Sequence, residues 1–274
     1  MKGIKRLTEQ KYFMTILWGV LLIAVWEVFA FIVAATKRTP ENILPHLWGI
    51  LESVFSSKTI NGGQTALQMV MTNAAATLSR AGIGYIIGIG CGFVLALLMS
   101  LWKSIEKIAF PYLMLIQMIP ILGMAPIINA ITGDITKSRV VIAAILTFYP
   151  VATNTLAGFQ SVSREKHELM YSYAANRLQI YIKTMIPACI PYFFTGLKIS
   201  APMAITASIL VDTLQGGIGL GCLLSQALKG AMTRYVFWQI VFFSAIIGIL
   251  SFSVMGLLES VLCPYQRKSK SEKE

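Results

Sequence analysis

The chain has 274 residues, of which 56% are hydrophobic and 13% charged, with a mean hydropathy of +0.69. A soluble domain carries roughly 25% charged residues, so this composition excludes a water-soluble globule and indicates an integral membrane protein. The formal net charge of +11 would suggest nucleic acid in a soluble chain, but here the basic residues follow membrane topology and no nucleic-acid partner is expected.

A spanning helix needs about 20 apolar residues, because the hydrocarbon layer is roughly 30 Å thick and a helix rises about 1.5 Å per residue. Six segments qualify, at about 14–36, 68–101, 108–131, 138–160, 189–212 and 236–263. Regular alternation is absent, which argues against an outer-membrane barrel, and helices satisfy every backbone donor in lipid. The expectation is an all-α integral membrane protein of about six transmembrane helices. It would form a single domain over 1–274, with a first span and outer loop at 14–67 and a core region at 68–263.

The first span follows a basic stretch, and Ala34-Ala35 resembles a cleavage site. Its apolar run exceeds the 7–15 residues or so of a signal peptide, so it reads as a true span containing Glu27. The polar stretch that follows, about 37–68, holds only a short amphipathic segment, "ENILPHLWGILESVF", and no soluble domain is expected.

The second span carries Gly84, Gly88 and Gly92 at intervals of four, on one helix face that lets another backbone approach closely. A dinucleotide fingerprint needs a strand before it and does not fit inside a membrane span.

The third span contains Pro111, Pro120 and Pro126, each lacking a backbone donor, and should be kinked or broken. Irregular backbone at membrane depth is tolerated where it is buried in protein or lines a water-filled cavity. Gln117, Met118, Met124 and Asn129, with Asn154 of the fourth span, are therefore candidate pathway residues. Helix packing is the alternative reason for the prolines.

Asp212 lies near the end of the fifth span, just before "QGGIGLG". An acid at that depth either faces the substrate pathway or partners an outer-loop donor. Cys91, Cys189, Cys222 and Cys263 are isolated and read as packing residues, with no metal site.

With the N-terminus inside, the basic termini and Lys103, Lys107, Arg164, Lys166, Arg177 and Lys183 fall in the cytoplasm. Lys37, Arg38, Lys58, Lys137, Arg139, Lys229 and Arg234 fall outside, while Arg80 and Lys198 lie within or beside spans. This bias places both termini and the segment 161–188 in the cytoplasm. That segment contains "ELMYSYAANRLQIYIKTMIP", Glu168 to Pro187, a half-polar stretch with apolar residues still at helical spacing.

The stretch resembles the EAA motif of binding-protein-dependent ATP-binding-cassette importers, with Glu168 at the Glu, Ala174 at the Gly and Pro187 at the final Pro. "TLSRAGIGY", "FPYLMLIQMIPILGMAPI", "FYPVATNT" and "IPACIPYFFTGLKISAPMAITASILVDTLQGGIGLG" resemble permeases of the nitrate, sulfonate and taurine type, in the expected order. The resemblance runs from Trp26 to about Glu259 and implies the type I importer-permease fold. Glu168, Tyr171, Ser172, Tyr173, Ala174, Ala175 and Pro187 would then form a coupling loop that docks on a cytoplasmic ATPase. Ala174 stands where the family has Gly, and a left-handed backbone there would cost an Ala about 1 kcal/mol or more.

The resemblance also implies a homodimer in the bacterial cell membrane, surrounded by lipid, with an ATPase dimer inside and a solute-binding protein outside. The chain has no G-x-x-x-x-G-K-[ST] loop, so it is expected to be a transport subunit and not an enzyme, binding no cofactor while its partner uses ATP. The solute would be a sulfonate, nitrate, a vitamin precursor or another small compound. The alternative is an ion-coupled secondary transporter, against which His46 and His167 lie outside the spans and the apolar-segment acids are scattered. A membrane enzyme would need clustered metal-binding carboxylates or a nucleophile with its base, and none is evident.

Overall fold

A computed structural model describes residues 2–37, 43–56, 59, 63–121, 123–230 and 234–263. Arg38, Lys58, Arg267, Lys268, Lys270 and Lys273, used above for topology, lie outside these. The described chain is helical, with one isolated bridge between Thr59 and Thr65.

In chain order the helices are α1 (Lys2–Thr36), α2 (Leu47–Phe55), α3 (Ala66–Leu101), α4 (Lys103–Met118), α5 (Ala125–Thr132), α6 (Ile135–Gln160), α7 (Arg164–Ser172), α8 (Arg177–Ile180), α9 (Ile186–Gln215), α10 (Leu220–Leu228) and α11 (Arg234–Leu262). Among the described residues five segments are long and apolar enough to cross a membrane: Ile16–Thr36, Ala66–Leu101, Ile135–Gln160, Arg177–Gln215 and Tyr235–Leu262.

The third expected span is broken, as its prolines require. Helix α4 stops at Met118, and Ile119, immediately before Pro120, is extended with φ −73° and ψ 130°. A proline ring disfavours helical geometry in the residue before it. Pro126 then sits in the first turn of α5, where its missing donor is harmless. Gly133 closes α5 in the left-handed region, and the Asp134 carboxylate caps α6 by accepting from Thr136 and Lys137 N–H.

The fifth expected span is longer than its hydropathy indicated. Helices α8 and α9 join through a π-helical turn, Tyr181–Met185, into one rod from Arg177 to Gln215. Pro187 cannot donate one turn back, and Ile186 N–H instead reaches Tyr181 O, widening the turn and keeping the rod continuous.

The chain divides into two compact units, one formed by 1–70 with 226–240 and the other by 71–225 with 241–274. In the larger unit α6 and α9 are the most buried spans. The glycine face of α3 packs on α6 as its spacing implies. A Cβ on Gly84 would lie 2.5 Å from Val140 O, on Gly88 2.6 Å from Ala144 O, and on Gly92 2.9 Å from Phe148 O. Gly158 of α6 meets Cys189 and Tyr192 of α9 in the same manner. In the smaller unit most of the Ile16–Thr36 segment of α1 is exposed, as a lipid-facing helix should be.

Candidate functional site

The half-polar stretch folds as a tight helix reversal. The N–H of Ala174 donates to Tyr171 O at 2.9 Å and that of Ala175 to Met170 O at 3.1 Å, the two bonds of a Schellman motif closing α7. That motif requires a left-handed residue, and Ala174 supplies it with φ +53°. Asn176 and Gln179 then form a capping box at the start of α8, each side chain accepting from the other's backbone N–H. The polar residues that interrupt this stretch are thus helix terminators and starters.

One side of the reversal is fixed to the core. Met170, Ala175 and Tyr181 pack on a cluster that includes Met99, Phe159, Ile180 and Met185, and the Tyr181 hydroxyl donates to Ser100 O at 2.9 Å. The other side is free. Tyr171, Tyr173 and Leu178 are exposed, as are Ser172 and Pro187, and Glu168 makes only a surface pair with Arg164 at 2.8 Å. Such a pair contributes little. A cleft of about 520 Å³ opens beside Tyr171, lined by Ser100, His167, Arg177, Leu178 and Tyr181.

At the opposite end of the α8–α9 rod, Asp212 is fully buried and surrounded by protein. Arg139 Nε lies 2.9 Å from its Oδ1, Arg80 Nη2 lies 3.2 Å from the same oxygen, and the Thr77 hydroxyl donates to Oδ2 at 2.7 Å. Both arginines also reach the loop before α10, Arg80 donating to Ile218 O at 2.7 Å and Arg139 to Gly216 O. Leu220 N–H donates to the Thr77 hydroxyl at 2.9 Å and Gly219 N–H to Asn73 Oδ1 at 2.8 Å.

The glycines of "QGGIGLG" make this approach possible. Gly219 has φ +154°, and a Cβ there would collide with the Asp212 carboxylate; one on Gly221 would strike Ile209 O. Burial pushes the Cys222 thiol pKa up, with the Asp212 charge acting in the same direction. The protonated thiol donates to Asp212 O at 3.2 Å.

The Asp212 carboxylate is thus paired by helix residues, Thr77 and Arg80 of α3 and Arg139 of α6, and not by the outer-loop donor considered for it. Arg139, expected among the outside cations, lies near the start of α6 and is buried in the protein, where the carboxylate needs a close cation.

The broken α4–α5 segment borders an apolar cavity of about 420 Å³ lined by Ile87, Cys91, Ile116, Met124, Ile128 and Phe148, among others. Of the expected pathway residues only Met124 lines it. Gln117 and Met118 are exposed on α4, and Asn154 donates to Pro150 O on its own helix at 2.7 Å. Asn129 Oδ1 is buried without a hydrogen-bond partner.

Residues 84–262 match the family described as "Binding-protein-dependent transport system inner membrane component". The chain belongs to that family. The permease is similar to the formylaminopyrimidine transport permease protein ThiX of Halalkalibacterium halodurans, with 29% identity over 254 residues, 92% of this chain and 95% of ThiX. It is also similar to the nitrate import permease protein NrtB of Leptolyngbya laminosa, with 24% identity over 248 residues, 90% of this chain and 86% of that one. Among solved structures, the crystal structure of an amino acid ABC transporter superposes with a TM-score of 0.61 at 20% identity, covering 70% of the permease and 94% of that chain. That likeness establishes a shared fold.

The permease is thus a membrane-spanning, inner-membrane subunit of a bacterial importer, and its family implies an ATPase partner and a substrate-binding protein. The import reading stands over ion-coupled secondary transport. Sequence reasoning missed Thr77, Arg80 and Arg139 as partners of Asp212. The signal available was "TLSRAGIGY" itself, which places a cation and a hydroxyl three residues apart on one face of α3.

Proposed function

We propose that the permease carries a small organic or oxyanionic solute across the cell membrane as a homodimer, driven by an ATPase that docks on Glu168–Pro187. The supporting observation is the two-sided build of that reversal. Its inner side is locked to the core by Met170, Ala175 and Tyr181, while Tyr171, Tyr173 and Leu178 stand exposed at the end of a helix that runs on to Asp212. An apolar, rigid surface of this kind fits a groove on a protein partner, and movement of its base moves the whole rod.

In this reading both termini and the segment 161–188 are cytoplasmic, the permease binds no cofactor, and ATP is consumed by the partner. The α4–α5 break, with Gln117, Met118, Met124 and Asn129, together with Asn154, faces the pathway in the dimer. The solute class follows from relatives named for formylaminopyrimidine and nitrate.

The test is Tyr173→Glu, which would bury an unpaired charge against the ATPase groove. Uptake and co-purification of the ATPase should both fall while the purified permease keeps its thermal unfolding temperature. Wild-type uptake and association would remove the loop from coupling. Orientation is tested separately by Ser172→Cys, which an impermeant thiol reagent should not label in intact cells.

A further inference from the structure

Glu27 and the amphipathic segment after α1 have no part in the coupling loop or the Asp212 cluster, yet they are built together. The Glu27 carboxylate accepts from Leu47 N–H at 2.9 Å, its other oxygen lies 2.7 Å from His46 Nδ1, and Trp26 Nε1 donates to Pro45 O at 3.2 Å. These contacts pin the start of α2 to the side of α1. Glu27 is nine residues before Thr36, the end of α1, so α2 begins roughly 14 Å of helix rise inward from that end.

From there α2 follows the start of α11. Gly49 leaves room for the Tyr235 ring, whose Cε1 would lie 3.1 Å from an added Cβ, and one turn later Ser53 Oγ accepts from Gln239 Nε2 at 2.6 Å. Ile50 is buried on this side. The opposite side carries Trp48, Leu51 and Phe55, which are 75%, 54% and 82% exposed. Exposed Glu52 borders this stripe.

Beside the stripe lies a cleft of about 480 Å³, lined chiefly by Ala30, Phe31, Ala34, Leu44, Trp48 and Tyr235. The stripe and cleft continue the exposed apolar surface of α1, where Val28, Phe29, Phe31 and Ile32 lie at the same level.

We propose that α2 is immersed in the membrane leaflet at the C-terminal end of α1, with lipid acyl chains covering Trp48, Leu51 and Phe55 and entering the cleft. That leaflet is the outer one in the orientation proposed above. Water contact would leave three large apolar side chains hydrated, whereas acyl chains continue the environment α1 already requires. Glu27 is tolerated at this depth because both of its oxygens are engaged, one by the first N–H of α2 and one by His46. The expected outer loop thus becomes, in part, a leaflet helix.

The experiment uses the assembled transporter in nanodiscs of phosphatidylcholine with brominated acyl chains, and isolates Trp48 emission as the difference between wild type and Trp48→Phe. Brominated chains should remove most of that emission and aqueous acrylamide little. Quenching by acrylamide alone places α2 in water and overturns the proposal. Quenching by neither shows that a protein surface covers the stripe and overturns it equally.

Phe55→Trp, added to the otherwise native chain, supplies a second reporter with the same expected pattern should Trp48→Phe fail to assemble. Quenching reads depth and not side, so a reversed orientation would leave this result intact while failing the Ser172→Cys labelling.

Discussion

Replacing Ala174 by Gly should tighten the reversal between α7 and α8 without adding a contact. Ala174 holds φ +53°, where its Cβ crowds the following carbonyl at a cost of about 1–2 kcal/mol. Glycine removes that strain but gives up roughly 0.5–1 kcal/mol more chain entropy on ordering, so the net gain is about 0.5–1 kcal/mol. The reporting groups are the two Schellman donors, Ala174 N–H to Tyr171 O and Ala175 N–H to Met170 O.

Their opening is read by amide hydrogen exchange and mass spectrometry on a peptide covering 169–180 in the purified permease. Ala174→Gly should slow exchange about two- to fivefold, the equivalent of that free energy. Ala174→Val should accelerate it, because a β-branched side chain is a steric outlier at positive φ. Unchanged or faster exchange in the glycine variant, or a valine variant as protected as wild type, would refute the left-handed turn and the strain assigned to it.

Asp212→Ala strands two buried guanidinium groups and should destabilise the permease by about 3–5 kcal/mol, seen as a lower thermal unfolding temperature in detergent. An unfolding temperature equal to wild type would contradict the ionic cluster. On α3, Gly88→Leu would force a side chain into Ala144 and Thr147 of α6 and should cost about 1–3 kcal/mol. Gly90→Ala meets no atom within 4 Å and should be neutral or stabilising by up to about 1 kcal/mol in the same assay.

The amino-acid sequence by itself determined the membrane class, the positions of four spans, the glycine face of α3 and the interruption of the proline-bearing third segment. Each is a local property: apolar length against bilayer thickness, a four-residue spacing, or a missing N–H. The stretch Glu168–Pro187 stood out for the same reason, since Asn176, Arg177, Gln179 and Lys183 interrupt apolar residues at helical spacing, whereas its capping box was seen only in the structure.

Only the tertiary structure decided which charges meet. Arg80 lies 132 residues before Asp212 in the chain, and Arg139 follows an N-cap and reads like a loop cation, yet both converge on one carboxylate. Nothing local encodes that convergence, because it depends on α3 and α6 packing closely through Gly84, Gly88 and Gly92 and on Gly219 and Gly221 letting the next loop fold over Asp212. The φ of Ala174 and the clamp of Glu27 on α2 were likewise set by the fold. A left-handed alanine persists only where the Met170 and Ala175 contacts with the core overdetermine the turn, and a carboxylate settles within a span only where donors are brought to it.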